Sequence, residues 1–219
     1  MKKYNTAVFD LDGTLLNTID DLRDSVNYML RLNGFPERTT GEVLTFVGNG
    51  IAKLVELSLP EKFSTEEFNK YLSQFRKHYS QNSKNKTRPY EGINDILAYL
   101  KGRGVKISVV SNKVDDQTKL LCKEYFGGNV DFAVGQKPGV EKKPAPDGVL
   151  DALKNISGKK EEAVYIGDSE VDYKTARNSG LDFIGVSWGY RGREFLQDLG
   201  AKTIIDAPEE LKEYFIFGR

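Results

Sequence analysis

The chain has 219 residues, of which 39% are hydrophobic and 29% charged, and its 32 basic residues balance its 32 acidic ones. This composition is typical of a globular protein with a sizeable core, built as one large or two small domains, and it excludes a disordered chain. The zero net charge gives no indication of a basic surface that would bind nucleic acid. No apolar run approaches the roughly 18 residues of a membrane span. The single cysteine, Cys122, excludes an internal disulfide and a thiolate metal cluster. We therefore expect a cytoplasmic monomer or weak homodimer without a signal peptide, and with no nucleic-acid or membrane partner.

The first predicted strand, TAVF at 6–9, is followed at once by two acidic residues. Asp10 and Asp12 lie two residues apart, and Gly13 and Thr14 come next. An Asp-Gly pair after a strand is by itself a common turn. Two repelling carboxylates at one strand end, however, favour a bound cation over a plain turn.

Residues 18–85 show helical patterns and no strand signal. One of the helices begins with a capping box formed by Ser64 and Glu67. We predict a helical domain at 18–85, inserted into a core domain made of 1–17 and 86–219. Its VGNG loop contains Gly48, Asn49 and Gly50, and is either a plain interhelical turn or a site whose N–H groups bind an anionic substrate.

From about residue 90, short apolar runs alternate with helical patterns. The predicted strands are KISVV (106–110), DFAVG (131–135), AVYIG (163–167), DFIGVS (182–187) and KTII (202–205). The alternation predicts βαβ units and a doubly wound parallel α/β sheet of the Rossmann-like type. Ligands bind beyond the carboxyl ends of such strands. The polar residues at these positions are Ser111, Asn112 and Lys113 after KISVV, Lys143 in the loop after DFAVG, and Asp168, Ser169 and Asp172 after AVYIG.

These side chains together suit phosphoryl transfer. Several carboxylates with no histidine or cysteine among them favour Mg²⁺. A carboxylate such as Asp10 can attack phosphorus and form an aspartyl-phosphate, while Asp12 lies near enough to move the proton. Lys143, Ser111 and the N–H groups around Leu11–Gly13 and Asn112 can hold the phosphate oxygens. No nucleotide-binding P-loop motif occurs, and a single histidine argues against a Ser-His-Asp mechanism.

Four segments, FDLDGTLL, VVSNK, KKPAPD and YIGDSEVD, resemble in order the four motifs of the haloacid dehalogenase-like hydrolases. The resemblance covers the predicted α/β part and implies that the helical insert is the small cap domain of that family. It implies that Asp10 is the nucleophile and a Mg²⁺ ligand, and that Asp12 is the general acid/base and offers its backbone carbonyl to the metal.

The later motifs carry further implied roles. Ser111, Asn112 and Lys143 resemble the phosphate-binding elements, with Lys143 also in the catalytic set. Asp168 resembles the direct metal ligand, and Asp172 the second acid that orients it. Gly13 and Thr14 are assigned with the phosphate-binding residues of the first motif. One departure is Asn17, where many relatives carry aspartate, and we expect it to alter cap contacts rather than the chemistry.

Within the family, the segments DGTLLNTIDDL, LNGFP, VGNG, SNK and GVSWGYR are similar to those of phosphoglycolate phosphatases. This implies a small phosphorylated metabolite, 2-phosphoglycolate, as the substrate. Pyrophosphate, a sugar phosphate or a nucleotide is an alternative substrate, and a phosphomutase is an alternative activity. A signalling module that uses aspartyl-phosphate as a switch, or an inactive binding protein, would be a different class of function. Asp12 and the helical insert favour the enzyme over the switch.

Overall fold

The apolar runs of the sequence form strands in the structure, a computed structural model that describes residues 2–216. The strands are β1 (Thr6–Phe9), β2 (Leu16–Asn17), β3 (Arg88–Pro89), β4 (Lys106–Val114), β5 (Phe132–Gln136), β6 (Ala163–Gly167), β7 (Asp182–Val186) and β8 (Ile204–Ile205). The helices are α1 (Ile19–Leu32), α2 (Thr40–Phe46), α3 (Ile51–Ser58), α4 (Thr65–Asn82), α5 (Ile93–Gly102), α6 (Asp115–Phe126), α7 (Asp147–Asn155), α8 (Glu170–Ser179) and α9 (Gly192–Asp198). Within the described residues, no helix combines the length and apolar character needed to cross a bilayer.

Six of the strands form one parallel sheet in the order β5-β4-β1-β6-β7-β8. Strand β1 lies between β4 and β6, so that Phe9 pairs with Val109 on one side and with Ile166 on the other. After β1 the chain builds the sheet outward through β4 and β5, and then returns to the other side of β1 with β6. The order therefore reverses at β1, which is where a doubly wound sheet forms its ligand site. The predicted fold class is confirmed.

Both faces of the sheet are covered, which explains the continuous apolar runs. Successive side chains of a strand point to opposite faces. In β1, Ala7 and Phe9 belong to one buried cluster, and Val8 belongs to a second. Tyr165 in the middle of β6 is fully buried in that second cluster. The core thus holds β1 and β6 rigidly, and the residues at their carboxyl ends are fixed with them.

Two predicted strands, 6–9 and 163–167, have the observed bounds. Strand β4 differs, because it continues to Val114 rather than ending at Val110. The pairing of Val114 with Gln136 extends the strand, and the register shifts between Val110 and Val114. Ser111, Asn112 and Lys113 consequently lie in an irregular strand end and not in the loop that the sequence predicts.

The chain divides into two compact units, one formed by the residues up to Leu16 and from Pro89 onward, the other by Asn17–Arg88. The first unit contains the six-stranded sheet. The second contains α1 to α4, and the described residues between the two short strands β2 and β3 include no further strand. The predicted insert is 18–85, and its role as a cap stays a prediction.

Inside the helical unit, α1 and α4 bury one apolar side each. Phe35, Phe63 and Tyr71 contact one another through their rings, with centroids 5.1 to 5.5 Å apart. The predicted capping box at the start of α4 is present, since the Ser64 side chain accepts from the Glu67 N–H and the Glu67 carboxylate accepts from the Ser64 N–H. This unit therefore has its own core and its own helix caps.

Candidate active site

Three carboxylates of the sheet unit meet at the carboxyl ends of β1 and β6. Asp10 follows β1 directly, Asp168 follows β6, and Asp172 lies in the first turn of α8. They are 6%, 1% and 0% exposed, and each offers an oxygen within 4.8 Å of the other two. Residues from distant parts of the sequence are brought together because β1 and β6 are hydrogen-bonded neighbours.

Burial and crowding raise the pKa values of two of these acids, Asp10 and Asp168. Burial, followed by the charge of Asp172, raises the pKa of Asp10 well above its usual range, although Lys143 opposes the shift. Burial and the same neighbour raise the pKa of Asp168 to about 7, against the hydrogen bonds from Tyr190 and Thr14. Both carboxylates are therefore costly to ionise in the absence of a further positive charge.

The donor set fits Mg²⁺. Among the described residues, Asp10, Asp168 and Asp172 form the group of side chains that could hold a metal ion, and all three are carboxylates. Hard oxygen donors with no sulfur or imidazole nitrogen suit magnesium rather than zinc or copper. A divalent cation would also offset the burial and the repulsion that raise the pKa values of Asp10 and Asp168.

Lys143 is buried among the same acids. Its Nζ donates to Asp10 Oδ1 at 2.5 Å, to Asp172 Oδ1 at 2.7 Å and to the Tyr165 hydroxyl at 3.1 Å. Burial lowers the pKa of Lys143, but the carboxylates of Asp10 and Asp172 outweigh it and hold the pKa well above its ordinary value. The lysine is thus a fixed positive charge beside the predicted nucleophile.

The loop that carries Lys143 is tied to the end of β4. The Asn112 side chain donates from Nδ2 to the Lys143 carbonyl at 3.1 Å and accepts from the Lys143 N–H at 2.8 Å. The Ser111 hydroxyl accepts from the Lys113 N–H at 3.2 Å. The structure therefore brings Ser111, Asn112 and Lys143 to one place, as the sequence predicts, and gives Asn112 a supporting contact that the sequence does not indicate.

Gly13 and Thr14 lie against Asp168. Gly13 has φ +95°, and a Cβ there would lie 2.6 Å from an oxygen of Asp168, so only glycine fits. Its N–H donates to the Leu16 carbonyl, and the Thr14 hydroxyl donates to Asp168 Oδ1 at 3.1 Å. These two residues shape and orient the predicted metal ligand, and their part in phosphate binding stays a prediction.

Asp12 forms a close ion pair. Lys113 Nζ lies 3.0 Å and 3.1 Å from the two carboxylate oxygens of Asp12. The Lys113 side chain is 3% exposed and that of Asp12 21%. The Asp12 carboxylate is therefore more exposed than the three buried acids and lies outside their group.

A segment after β7 completes the site. It lies within GVSWGYR, which the family resemblance singles out, but its contacts with the site were not predicted from the sequence. The Tyr190 N–H donates to Asp168 Oδ2 at 2.7 Å, and the Trp188 indole N–H donates to the Thr14 carbonyl at 3.0 Å. A Cβ on Gly189 would lie 2.2 Å from the Cβ of Asp168. The Tyr165 hydroxyl was also missed, since the residue lies within an apolar strand run. Its position after a strand end and the GVSWGYR resemblance are the two signals that point to the β7 segment.

The other predicted substrate residues belong to the helical unit. Gly48 and Asn49 lie between α2 and α3, and Gly50 is the residue before α3. Gly48 and Gly50 both have positive φ, at 113° and 83°, which glycine adopts without strain. Their contribution to substrate binding stays a prediction.

Comparison with known proteins shows the family to which the chain is similar. The model of the family described as haloacid dehalogenase-like hydrolase matches residues 7–186. A phosphoglycolate phosphatase of Aquifex aeolicus (strain VF5) is 35% identical, over 84% of this chain and 84% of its own length. One from Nitrosococcus oceani is 30% identical, over 97% of this chain and 96% of its own. A crystal structure of a Lactobacillus delbrueckii subsp. bulgaricus protein superposes with a TM-score of 0.90 at 37% identity, covering 99% of this chain and 100% of the other.

Proposed function

Because the chain belongs to the haloacid dehalogenase-like hydrolase family, we propose that it is a Mg²⁺-dependent phosphatase that works through an aspartyl-phosphate on Asp10. The observation that carries the proposal is the buried group of Asp10, Asp168 and Asp172 with Lys143 bonded into it. Asp10, Asp168, Asp172 and the backbone carbonyl of Asp12 would hold the metal, and a bound Mg²⁺ would neutralise charge on the phosphoryl oxygens and on the nucleophile.

In the first step, a carboxylate oxygen of Asp10 attacks the phosphorus of the ester. The bond from phosphorus to the ester oxygen breaks, and protonated Asp12 gives its proton to the departing oxygen, which leaves as an alcohol. Lys143 holds the phosphoryl oxygens beside Asp10, together with the Ser111 hydroxyl and the backbone near Asn112. The enzyme is left with an acyl phosphate on Asp10 and an ionised Asp12.

In the second step, a water molecule attacks the same phosphorus while Asp12 accepts its proton. The bond between phosphorus and Asp10 breaks, which releases inorganic phosphate and restores both aspartates. One residue therefore serves as acid and then as base. A signalling module that uses aspartyl-phosphate as a switch must keep its phosphoryl group, and a residue such as Asp12 would speed its hydrolysis.

We propose 2-phosphoglycolate as the substrate, because the relatives that cover most of this chain carry that activity in their names. We also propose that the helical unit acts as a cap that excludes water, with Gly48, Asn49 and Gly50 contributing to substrate binding. Pyrophosphate, a sugar phosphate and a nucleotide are the competing substrates.

The experiment is a steady-state assay of phosphate release from 2-phosphoglycolate, pyrophosphate, glucose 6-phosphate and a nucleoside monophosphate. We expect kcat/KM to be among the highest for 2-phosphoglycolate, activity to vanish in EDTA, and excess Mg²⁺ to restore it. A low rank for 2-phosphoglycolate would contradict the substrate and leave the phosphatase standing.

The nucleophile is tested by Asp10→Asn. We expect kcat to fall at least about a thousandfold and acid-quenched protein to lose its covalent phosphate. Asp182→Asn is the matched control, since Asp182 is an exposed aspartate of the same unit that bonds to Lys2 and Tyr4. An active Asp10→Asn protein would refute the mechanism.

A further inference from the structure

Lys113 is the second buried lysine beside the site, and the proposed mechanism does not use it. Among the residues that the structure describes, Lys113 and Lys143 are the two lysines buried, each 5% exposed. Lys143 is bonded to Asp10 and Asp172, two of the acids that are proposed to hold the metal. Lys113 instead contacts Asp12 through both carboxylate oxygens.

Burying an ammonium group is costly unless it is paired. The pair with Asp12 offsets that cost, but Asp12 must also reach the ester oxygen of the substrate. A general acid acts within a hydrogen-bond distance of about 2.6–3.2 Å. Lys113 Nζ therefore lies within about 6 Å, or two hydrogen-bond lengths, of the place where the ester oxygen must be.

This distance matches a specific kind of leaving group. In a 2-phospho acid, a single methylene group separates the carboxylate from the ester oxygen. A lysine ammonium carries three N–H donors, so it can bond to Asp12 and to a second anion at the same time. The carboxylate of such a substrate would accept from a further N–H of Lys113 while the contact with Asp12 is kept, and it would pair with a charge that is already desolvated.

We propose that Lys113 binds the carboxylate of the substrate and so selects phosphate esters of 2-hydroxy acids over simple alkyl phosphates. The inference rests on the proposed function and identifies Lys113 as the residue that recognises the leaving group of the substrate. Selectivity follows because a site with a buried cation rejects an analogue that leaves the cation without its second anion.

The test compares two esters that differ in one group, 2-phosphoglycolate and 2-hydroxyethyl phosphate, in the wild type and in Lys113→Met. Loss of the contact with Asp12 slows both reactions, but only the first ester loses a charged partner. We expect kcat/KM for 2-phosphoglycolate to fall about 10- to 100-fold more than for 2-hydroxyethyl phosphate. Lys137→Met is the control, because it removes a half-buried lysine paired with Asp151 at 3.0 Å, and its ratio should equal that of the wild type.

An equal loss on both esters would overturn the proposal, since Lys113 would then act through Asp12 alone. Should Lys113→Met fail to fold, inhibition of the wild type decides the matter. Glycolate should inhibit competitively and ethylene glycol should not, and equal weak inhibition by both would overturn the proposal. A wild type that hydrolyses both esters with equal kcat/KM overturns this inference alone, whereas a wild type inactive on every phosphate ester overturns the proposed function.

Discussion

At the scale of single residues, Asp10 and Asp168 share a raised pKa, because each is buried beside other carboxylates. A divalent cation binds the ionised forms, so protons compete with it. The pKa of Asp168 is raised to about 7, and ionised Asp168 is therefore scarce below that pH. We expect the apparent affinity for Mg²⁺ to weaken about tenfold for each pH unit below 7, for one displaced proton.

Isothermal titration with Mg²⁺ between about pH 6 and pH 8 measures this dependence. Titration in two buffers of different ionisation enthalpy counts the released protons directly. An affinity that stays constant across this range would show that Asp168 is already ionised in the metal-free site, and so would contradict the expectation.

Tyr165 is a second residue whose contacts define a prediction. Its hydroxyl lies 3.1 Å from both Lys143 Nζ and Asp172 Oδ1, and burial raises its pKa well above the ordinary value, so the proton stays on the oxygen. Removing the hydroxyl takes one acceptor from Lys143 and one donor from Asp172. We expect Tyr165→Phe to lower kcat/KM about tenfold or more, measured by phosphate release.

The matched control is Tyr4→Phe. The Tyr4 hydroxyl also bonds to a carboxylate, that of Asp182 at 2.9 Å, and lies outside the site. Both variants should unfold within about 3 °C of the wild type, and only Tyr165→Phe should weaken inhibition by inorganic phosphate. Equal kinetics in the two variants would mean that Lys143 is held without the Tyr165 hydroxyl.

At the scale of elements, the segment between β7 and α9 has no catalytic side chain of its own and yet encloses Asp168. A Cβ on Gly189 would lie 2.2 Å from Asp168 Cβ and 2.5 Å from the Gly13 carbonyl oxygen. Gly189→Ala must therefore displace Asp168 or the turn at Gly13. We expect a loss of about 10- to 100-fold in Mg²⁺ affinity, measured by titration.

Gly102→Ala provides the comparison, since a Cβ at Gly102 meets nothing within 4 Å. It should bind Mg²⁺ as the wild type does. If Gly189→Ala also bound Mg²⁺ normally, the β7 segment would not position Asp168.

The same elements show what a sequence can predict here. The observed bounds of β1 and β6 match the predicted ones because burial of both sheet faces requires a continuous apolar run, and an aspartate marks the end of each run. The predicted end of β4 at residue 110 was wrong because Ser111 and Asn112 are polar. A polar residue in an irregular strand end resembles a loop residue. The contact between the segment after β7 and Asp168 was not predicted, because the Tyr190 backbone N–H makes it and a backbone donor cannot be recognised from the residue type.

At the scale of the whole molecule, the candidate active site belongs to the sheet unit, and the helical insert forms a unit with its own core. Every described carboxylate of the metal-binding group belongs to the sheet unit, and Asn17–Arg88 forms a unit of its own. Under the proposed function, we expect changes in the helical unit to alter the choice of substrate rather than the phosphoryl chemistry, because the four motifs assigned to that chemistry lie in the sheet unit. The site itself is costly to the fold, because its acids are buried together and repel one another.

This cost predicts that a defect in the site stabilises the metal-free protein. The folded-state pKa of Asp168, about 7, lies above that of the unfolded chain, so the folded state binds more protons and loses stability as the pH rises through that interval. Asp168→Asn removes the charge, and we expect the metal-free variant at about pH 8 to unfold at a higher temperature than the metal-free wild type. At about pH 5 the gap should narrow, because Asp168 is then protonated in the folded wild type. Mg²⁺ at a hundredfold excess over its Kd should stabilise the wild type by about 2.7 kcal/mol and the variant far less. Calorimetry measures the stability of both proteins. A variant that is less stable than the wild type at every pH without metal would show that Asp168 is not a source of repulsion.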